Sequence, residues 1–151
     1  MAPENDHILL NAIGTLTMSV APEVTTPFGQ GQLGLIAALM YFAAAEHDRA
    51  ADTVAFENRE MRALFADAAK ARIGLDKGLR GELAEAAEST DADLKISTLS
   101  AANAGLKTLL IRLHEHLEGQ AGEKAHALED RVWRFLRASA DARELTLPEL
   151  G

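Results

Sequence analysis

The stretch from Gln30 to Ala69 constrains the fold most, because it contains no proline and its apolar positions recur at alternating steps of three and four. That spacing places side chains on one face of an α-helix. The face consists of Leu33, Ile36, Met40, Ala44, His47, Ala51, Val54, Asn58, Met61, Phe65 and Ala68. One long helix is predicted, with its nearly all-apolar first half at the centre of a bundle and its second half charged away from the seam.

Apolar positions with helical spacing also occur before and after this stretch. A first helix is predicted from Asn5 or Asp6 to Pro22, and residues 22–31 are predicted to be a connecting loop. A short helix is expected within residues 72–89. Thr90 followed by Asp93 resembles a capping box and predicts the start of the next helix.

The two helices predicted after Thr90 are strongly patterned. The first has the face Ile96, Leu99, Asn103, Leu106, Leu110, Leu113 and Leu117. The last has the face Ala125, Leu128, Val132, Phe135 or Leu136, and Ser139. Gly119 and Gly122 bracket a turn between these helices, which should form an antiparallel hairpin.

Composition agrees with a helical bundle, because 48% of the residues are hydrophobic and only 5% are aromatic. Small and unbranched side chains favour close helix packing. We therefore predict an all-α fold, a four- or five-helix antiparallel bundle with one long central helix. The 151 residues are expected to form a single domain, with a loosely ordered tail from Thr146.

Charge and composition exclude several classes of partner. The net charge of −8 disfavours nucleic acid and anionic lipid. The chain has no cysteine, which excludes disulfides and thiolate zinc sites. Arg49 is the first basic residue, so no secretory signal is predicted. The apolar run from Leu33 to Ala45 covers about 13 residues, fewer than the roughly 20 that a membrane span needs, so a cytoplasmic protein without membrane contact is predicted.

The sequence Gly29-Gln30-Gly31-Gln32-Leu33-Gly34 has the glycine spacing of a dinucleotide site. Such a site requires an apolar strand before the glycines and a βαβ unit around them, and neither is predicted. The glycines are better explained by a turn and close helix packing. We expect no cofactor.

Three polar residues interrupt the apolar seams: His47, Asn58 and Asn103. A buried polar group without a partner costs about 1–3 kcal/mol, so each should find a hydrogen bond, a cavity or a partner. One hypothesis is that they fix the register between helices, as polar residues do in coiled coils. The other is a ligand pocket between helices, with His47 as acid or base and the asparagines orienting the ligand.

Acidic residues and histidines with helical spacing suggest a possible metal site. His114 and Glu118 share one helix face, and Glu57 and Glu60 share another. A mononuclear site between the two helices is conceivable, although no complete ligand set with known spacing is present. A solvated charged face explains the same residues more simply.

The long helix should extend beyond its neighbours. A homodimer that buries Val54, Met61 and Phe65 would cover the excess, and a kink near Asp52 is the alternative. Trp133 is a further candidate for a partner interface, because tryptophan is frequent at binding hot spots. Arginines near Trp133 are expected to form salt bridges on a solvated face.

The sequence contains no recognisable catalytic motif. The leading hypothesis is a non-enzymatic, self-associating helical interaction or accessory protein. The alternative is a helix bundle that binds a metal or small ligand, with or without enzymatic activity.

Overall fold

The computed structural model describes residues 5–144, except for the side chains of Asn5, Asp6 and Asp48. This part of the chain contains helices and no strand, which confirms the all-α prediction. The α-helices are α1 (Asn5–Thr15), α2 (Pro27–Lys70), α3 (Lys77–Glu88), α4 (Ile96–Glu118) and α5 (Glu123–Ala142). After α1 the chain forms a π-helical turn (Leu16–Val20) and a 3-10 turn (Ala21–Glu23). The predicted N-capping side chains of α1 and the predicted tail lie outside the described residues.

The described residues fall into two compact units. We call residues 5–50 the N-terminal unit and residues 51–144 the C-terminal unit, so α2 contributes to both. The single domain remains a prediction, because compactness does not show whether a unit folds alone.

The C-terminal unit contains a hydrophobic core made by four helices. From α2 it takes Met61, Leu64, Phe65 and Ala68. The other helices contribute Leu79, Leu83, Leu106, Leu109, Leu110, Leu113, Leu117, Ala125, Leu128, Val132 and Phe135. The faces predicted for α4 and α5 are buried as expected, except that Ile96 is 42% exposed. Of the two alternatives for α5, Phe135 is buried and Leu136 is not.

The first half of α2 is not at the centre of a bundle, contrary to the prediction. No described side chain from His7 to Ala43 is buried, and the buried seam lies instead in the second half of the helix. In the N-terminal unit, residues such as Leu9, Ile13 and Leu33 are only half-buried. The second half of α2, by contrast, shares one buried core with α3, α4 and α5.

The segment Pro27–His47 is long and apolar enough to cross a membrane, with 21 residues, a mean hydropathy of 1.3 and 6% of it buried. The apolar run of about 13 residues predicted from the sequence is shorter than this segment, because the uncharged stretch Pro27–Gln32 belongs to the same helix. Core helices of soluble proteins and signal sequences have the same length and composition, so this similarity is weak evidence for a membrane span.

The start of α2 also differs from the prediction, since the expected loop over residues 22–31 is shorter. The Thr26 hydroxyl accepts a hydrogen bond from the Gly29 N–H (3.2 Å) and so caps a helix that begins at Pro27. A Cβ at Gly29 would lie 2.5 Å from Cγ1 of Val24. Glycine at this position therefore allows close packing, as the sequence suggested.

The predicted capping box at Thr90 and Asp93 is wrong, because α4 begins six residues after Thr90, at Ile96. The Asp93 carboxylate instead accepts the backbone N–H of Lys95 (2.9 Å) within the connection. The residue that makes long-range contacts in this segment is Asp91, whose carboxylate bonds to two side chains of α2.

Replacing Leu113 by alanine tests the C-terminal core. Its side chain is fully buried, so Leu113→Ala should lower the free energy of unfolding by about 2–5 kcal/mol. Leu94, which is 78% exposed, is the matched control, and Leu94→Ala should change it by less than about 0.5 kcal/mol. Urea unfolding followed by circular dichroism measures both. Equal losses in the two variants would contradict this description of the core.

Candidate functional site

The most unusual feature of the C-terminal unit is the buried carboxylate of Glu57, on α2. Its side chain is fully buried, although an unpaired charge is strongly disfavoured inside a protein. Its Oε1 accepts bonds from Ser139 Oγ (2.5 Å) and Arg143 Nε (2.7 Å). Its Oε2 accepts bonds from Arg143 Nη2 and Asn103 Nδ2 (both 2.9 Å), and Lys107 Nζ lies 3.0 Å away. The carboxylate therefore has partners from α4, α5 and the residue directly after α5.

The partners of Glu57 determine its charge state. Burial by itself raises the pKa of this carboxyl, but the hydrogen bonds from Arg143, Ser139, Lys107 and Asn103 together lower the pKa from 4.5 to about 2. Glu57 is therefore ionised at neutral pH. Arg143 and Lys107 are both partly exposed, so water also solvates their charges.

Asn58 and Asn103 extend this group of polar side chains. The Asn103 Nδ2 also donates to Oδ1 of Asn58 (3.0 Å). The Asn58 Nδ2 donates to Oδ1 of Asp91 (3.0 Å) and to the carbonyl oxygen of Leu99 (3.1 Å). Both Nδ2 hydrogens of Asn58 are therefore used in bonds to protein atoms.

Asp91, the last residue of this group, forms a bidentate ion pair with Arg62. Arg62 donates from Nη2 to Oδ1 (2.7 Å) and from Nη1 to Oδ2 (3.1 Å), and its Nε donates to Ser89 Oγ (3.0 Å). The Arg62 guanidinium lowers the pKa of Asp91 despite partial burial. We call the connected set of Glu57, Asn58, Arg62, Asp91, Asn103, Lys107, Ser139 and Arg143 the polar network.

The polar network joins α2, α4, α5 and the segment between α3 and α4. None of its atoms is a buried polar atom without a partner; among the described residues, those atoms are Arg49 Nη2 and His114 Nε2. Its groups bind one another, and Asn58 and Arg62 also donate to the Leu99 carbonyl and the Ser89 hydroxyl. A general acid or base at pH 7 needs a pKa near 7, whereas Glu57 has a pKa of about 2. The geometry fits a structural function better than a catalytic one.

The structure brings together only two of the three polar residues that the sequence singled out. Asn58 is fully buried and Asn103 is 7% exposed, and they bond directly. This arrangement supports the register hypothesis for the asparagines. His47 lies in the N-terminal unit and is exposed, so the prediction that it occupies a packed seam is wrong.

The four residues of the candidate metal site do not assemble. No group of three or more His, Asp or Glu side chains able to hold a metal occurs among the described residues. The Glu57 carboxylate already forms ion pairs with the side chains of Arg143 and Lys107. The Glu60 Oε1 lies 3.4 Å from the Nε of Arg59. His114 Nε2 is 3.8 Å from Glu118 Oε1, so these two form at most a pair on α4. Helical spacing predicted the His114–Glu118 pair, whereas Glu57 is fully buried and Glu60 is partly exposed, so these two do not act together.

Three of the four candidate interface residues are not available to a partner. Val54 is 8% exposed, and Met61 and Phe65 are fully buried within the C-terminal unit. The prediction that they lie on a dimer surface is wrong, because helices of the same chain cover this part of α2. Trp133 is 55% exposed, with its ring edge-to-face against His114 at 5.3 Å between centroids.

An open groove of about 270 Å³ lies between α2 and α5, lined by Phe56, Glu60, Leu64, Arg131, Arg134, Phe135 and Ala138. The arginines in it already have partners. Arg131 forms an ion pair with Asp67, and Arg134 donates to the backbone carbonyl of Asp130. The groove therefore shows no set of free polar groups that would position a ligand.

Comparison with known proteins supplies no functional assignment. No family model, curated protein or solved structure matches this chain.

Sequence reasoning missed that Glu57, Asp91 and Arg143 take part in the network. A usable signal was present, because Asn58, Asn103 and Ser139 each occupy a seam position on a different helix. Polar residues at facing seam positions are expected to meet and to attract further partners. The pairing of Asp91 with Arg62 had no such signal, because Asp91 lies in an irregular connection.

Asn58→Asp tests the network at its centre. The change keeps the shape but replaces an amide donor by an oxygen that faces two acceptors, Asp91 and the Leu99 carbonyl. We expect the free energy of unfolding to fall by at least about 2 kcal/mol, because the Leu99 carbonyl loses its donor and the new carboxylate faces the partly buried carboxylate of Asp91. Asn11→Asp, at an exposed position on α1, is the control and should have little effect. Urea unfolding at pH 7 gives the comparison, and equal stability of Asn58→Asp and the wild type would contradict it.

The pH dependence of stability tests Glu57. Since folding lowers its pKa from 4.5 to about 2, its contribution is fully present above about pH 4.5 and is lost as the pH falls toward 2. This difference corresponds to about 3 kcal/mol. Glu57→Gln lacks this group, so its unfolding free energy should fall less than that of the wild type between pH 5 and pH 2, by about that amount. Parallel pH profiles of the two proteins would refute the assignment.

Proposed function

We propose that the protein is a non-enzymatic interaction protein of the cytoplasm that self-associates as a homodimer. The N-terminal unit provides the association surface, and the C-terminal unit is a rigid body held by its core and the polar network. The observation that carries the proposal is the exposure of the first half of α2, where only 6% of a 21-residue apolar segment is buried.

The N-terminal unit exposes eight large apolar side chains among its described residues. They are Ile8, Leu10, Met18, Val20, Phe28, Leu35, Ile36 and Leu39. Contiguous exposed apolar surface on a soluble protein marks an interaction site. Burying it is favourable by roughly 25 cal/mol per Å² of apolar surface, which supports association.

The C-terminal unit supports a non-enzymatic function. The side chains of the polar network form hydrogen bonds and ion pairs mainly with one another. These bonds lower the pKa values of Glu57 and Asp91. Perturbed pKa values can also mark structural networks, and these groups bind one another instead of facing a cavity. Trp133 is the candidate for a second contact with another protein, because it is a large exposed aromatic side chain.

Sedimentation equilibrium of the full chain at micromolar concentration tests the proposal. We expect a mass about twice that of the 16.2 kDa chain. A monomer across this range would refute self-association. Metal analysis of the same sample tests the alternative function, since stoichiometric transition metal would favour a metal-binding bundle over an interaction protein.

A further inference from the structure

The first half of α2 has two apolar faces, of which only one is covered within its unit. On the inner face, Leu33 and Met40 are half-buried and Ala44 is buried. Residues of the turns after α1 line a groove on this side with Leu33 and Gly34. The opposite face is exposed at Phe28, Gln32, Leu35 and Leu39 and half-buried at Phe42 and Glu46.

The open face carries a regular stripe of side chains. It consists of Phe28, Gln32, Leu35, Leu39, Phe42 and Glu46, whose steps are four, three, four, three and four. Phe28, Leu35 and Leu39 are 78%, 53% and 58% exposed. We call these six residues the outer stripe. Alternating steps of three and four are the pattern by which one helix packs along another.

This pattern favours another helix over a lipid bilayer as the occupant. A bilayer contacts a helix from all sides and requires no period of three and four. The exposed face of α1 is mixed, because Asn11 and Thr15 lie there with the apolar Ile8, whereas a face in contact with hydrocarbon would be apolar throughout. The outer stripe also includes a glutamine, which suits a helix interface better than hydrocarbon.

We propose that the outer stripe packs against the outer stripe of a second copy of this chain, with the two α2 helices antiparallel. This inference rests on the proposed self-association and specifies its geometry. The series of steps is the same read in either direction, so a two-fold axis near its centre maps the stripe onto itself. Leu35 then faces Leu39, Gln32 faces Phe42, and Phe28 faces Glu46.

Charge selects the antiparallel orientation. Glu46 is the charged member of the outer stripe, and its nearest cation is Arg49 at 3.4 Å. A parallel pair would place the two Glu46 side chains together, which is unfavourable. In the antiparallel pair they lie at opposite ends, each beside the N-terminus of the partner's α2, where a helix dipole favours a negative charge.

Cysteine cross-linking tests the orientation directly, because the native chain contains no cysteine. Phe28→Cys and Glu46→Cys are made separately, mixed and treated with a short bis-maleimide. We expect cross-linked dimers that contain one copy of each variant. Phe28→Cys alone should not cross-link, because its two cysteines would be about 27 Å apart along the helices. Efficient cross-linking of Phe28→Cys alone, or none in the mixture, would overturn the antiparallel arrangement.

A pair of glutamate substitutions tests the surface. Leu39→Glu lies in the outer stripe, whereas Ser19→Glu replaces an exposed polar residue of the same unit outside it. We expect Leu39→Glu to raise the dimer dissociation constant at least tenfold and Ser19→Glu to change it less than twofold. Circular dichroism checks that both variants remain helical. Equal effects of the two substitutions, or an unchanged constant for Leu39→Glu, would overturn this interface.

The outcomes separate this inference from the proposed function. A wild-type monomer would refute both, whereas a wild-type dimer that is insensitive to Leu39→Glu would refute only the outer stripe. Flotation of the wild-type chain with phosphatidylcholine vesicles tests the bilayer. We expect no binding, and co-flotation that Leu39→Glu abolishes would show that lipid, not a second copy, covers the stripe.

Discussion

The C-terminal unit is organised around a carboxylate that has no access to water. Glu57 is ionised in the interior because Arg143, Lys107, Ser139 and Asn103 surround it with donors. Removing one partner of such a buried group leaves the other uncompensated, which costs more than the net gain from forming the pair. The relative positions of α2, α4 and α5 are therefore fixed by a requirement of charge as well as by apolar packing.

The apolar core and the polar network act on the same helices in different ways. Apolar side chains tolerate shifts along a seam, because dispersion and burial are not directional. Hydrogen bonds between Asn58 and Asn103 allow little shift, because their geometry is specific. The core supplies most of the stabilisation, and the network selects one register.

The N-terminal unit presents the opposite situation, since its apolar surface exceeds what its own residues cover. α2 continues the same helical pattern in this unit, but no described side chain from His7 to Ala43 is buried. The proposed antiparallel pairing would give the outer stripe the cover that α3, α4 and α5 give the second half of the helix. In such a protein the C-terminal unit would bury its own core, and the N-terminal unit would bind the second copy.

Much of the helical structure could be predicted from the sequence. The seams of α4 and α5, and the existence of one long helix, follow from the three-four spacing, because the period of an α-helix is a local property. The wrong predictions concern which other residues each helix face contacts. Met61 and Phe65 were expected at a dimer surface and lie in the core. Glu57 was expected on a solvated charged face, with a metal site as the alternative, and is buried in ion pairs with Arg143 and Lys107. His47 was expected in a seam and is exposed.

The sequence alone thus determined the existence of the long helices and the apolar faces of α4 and α5, but not where each helix begins. Only the tertiary structure decided which faces meet, that Glu57 is buried among cations, and that the first half of α2 remains uncovered. The physical reason is that periodicity arises from contacts within a few residues, whereas burial depends on segments up to 86 residues apart, as Glu57 and Arg143 are.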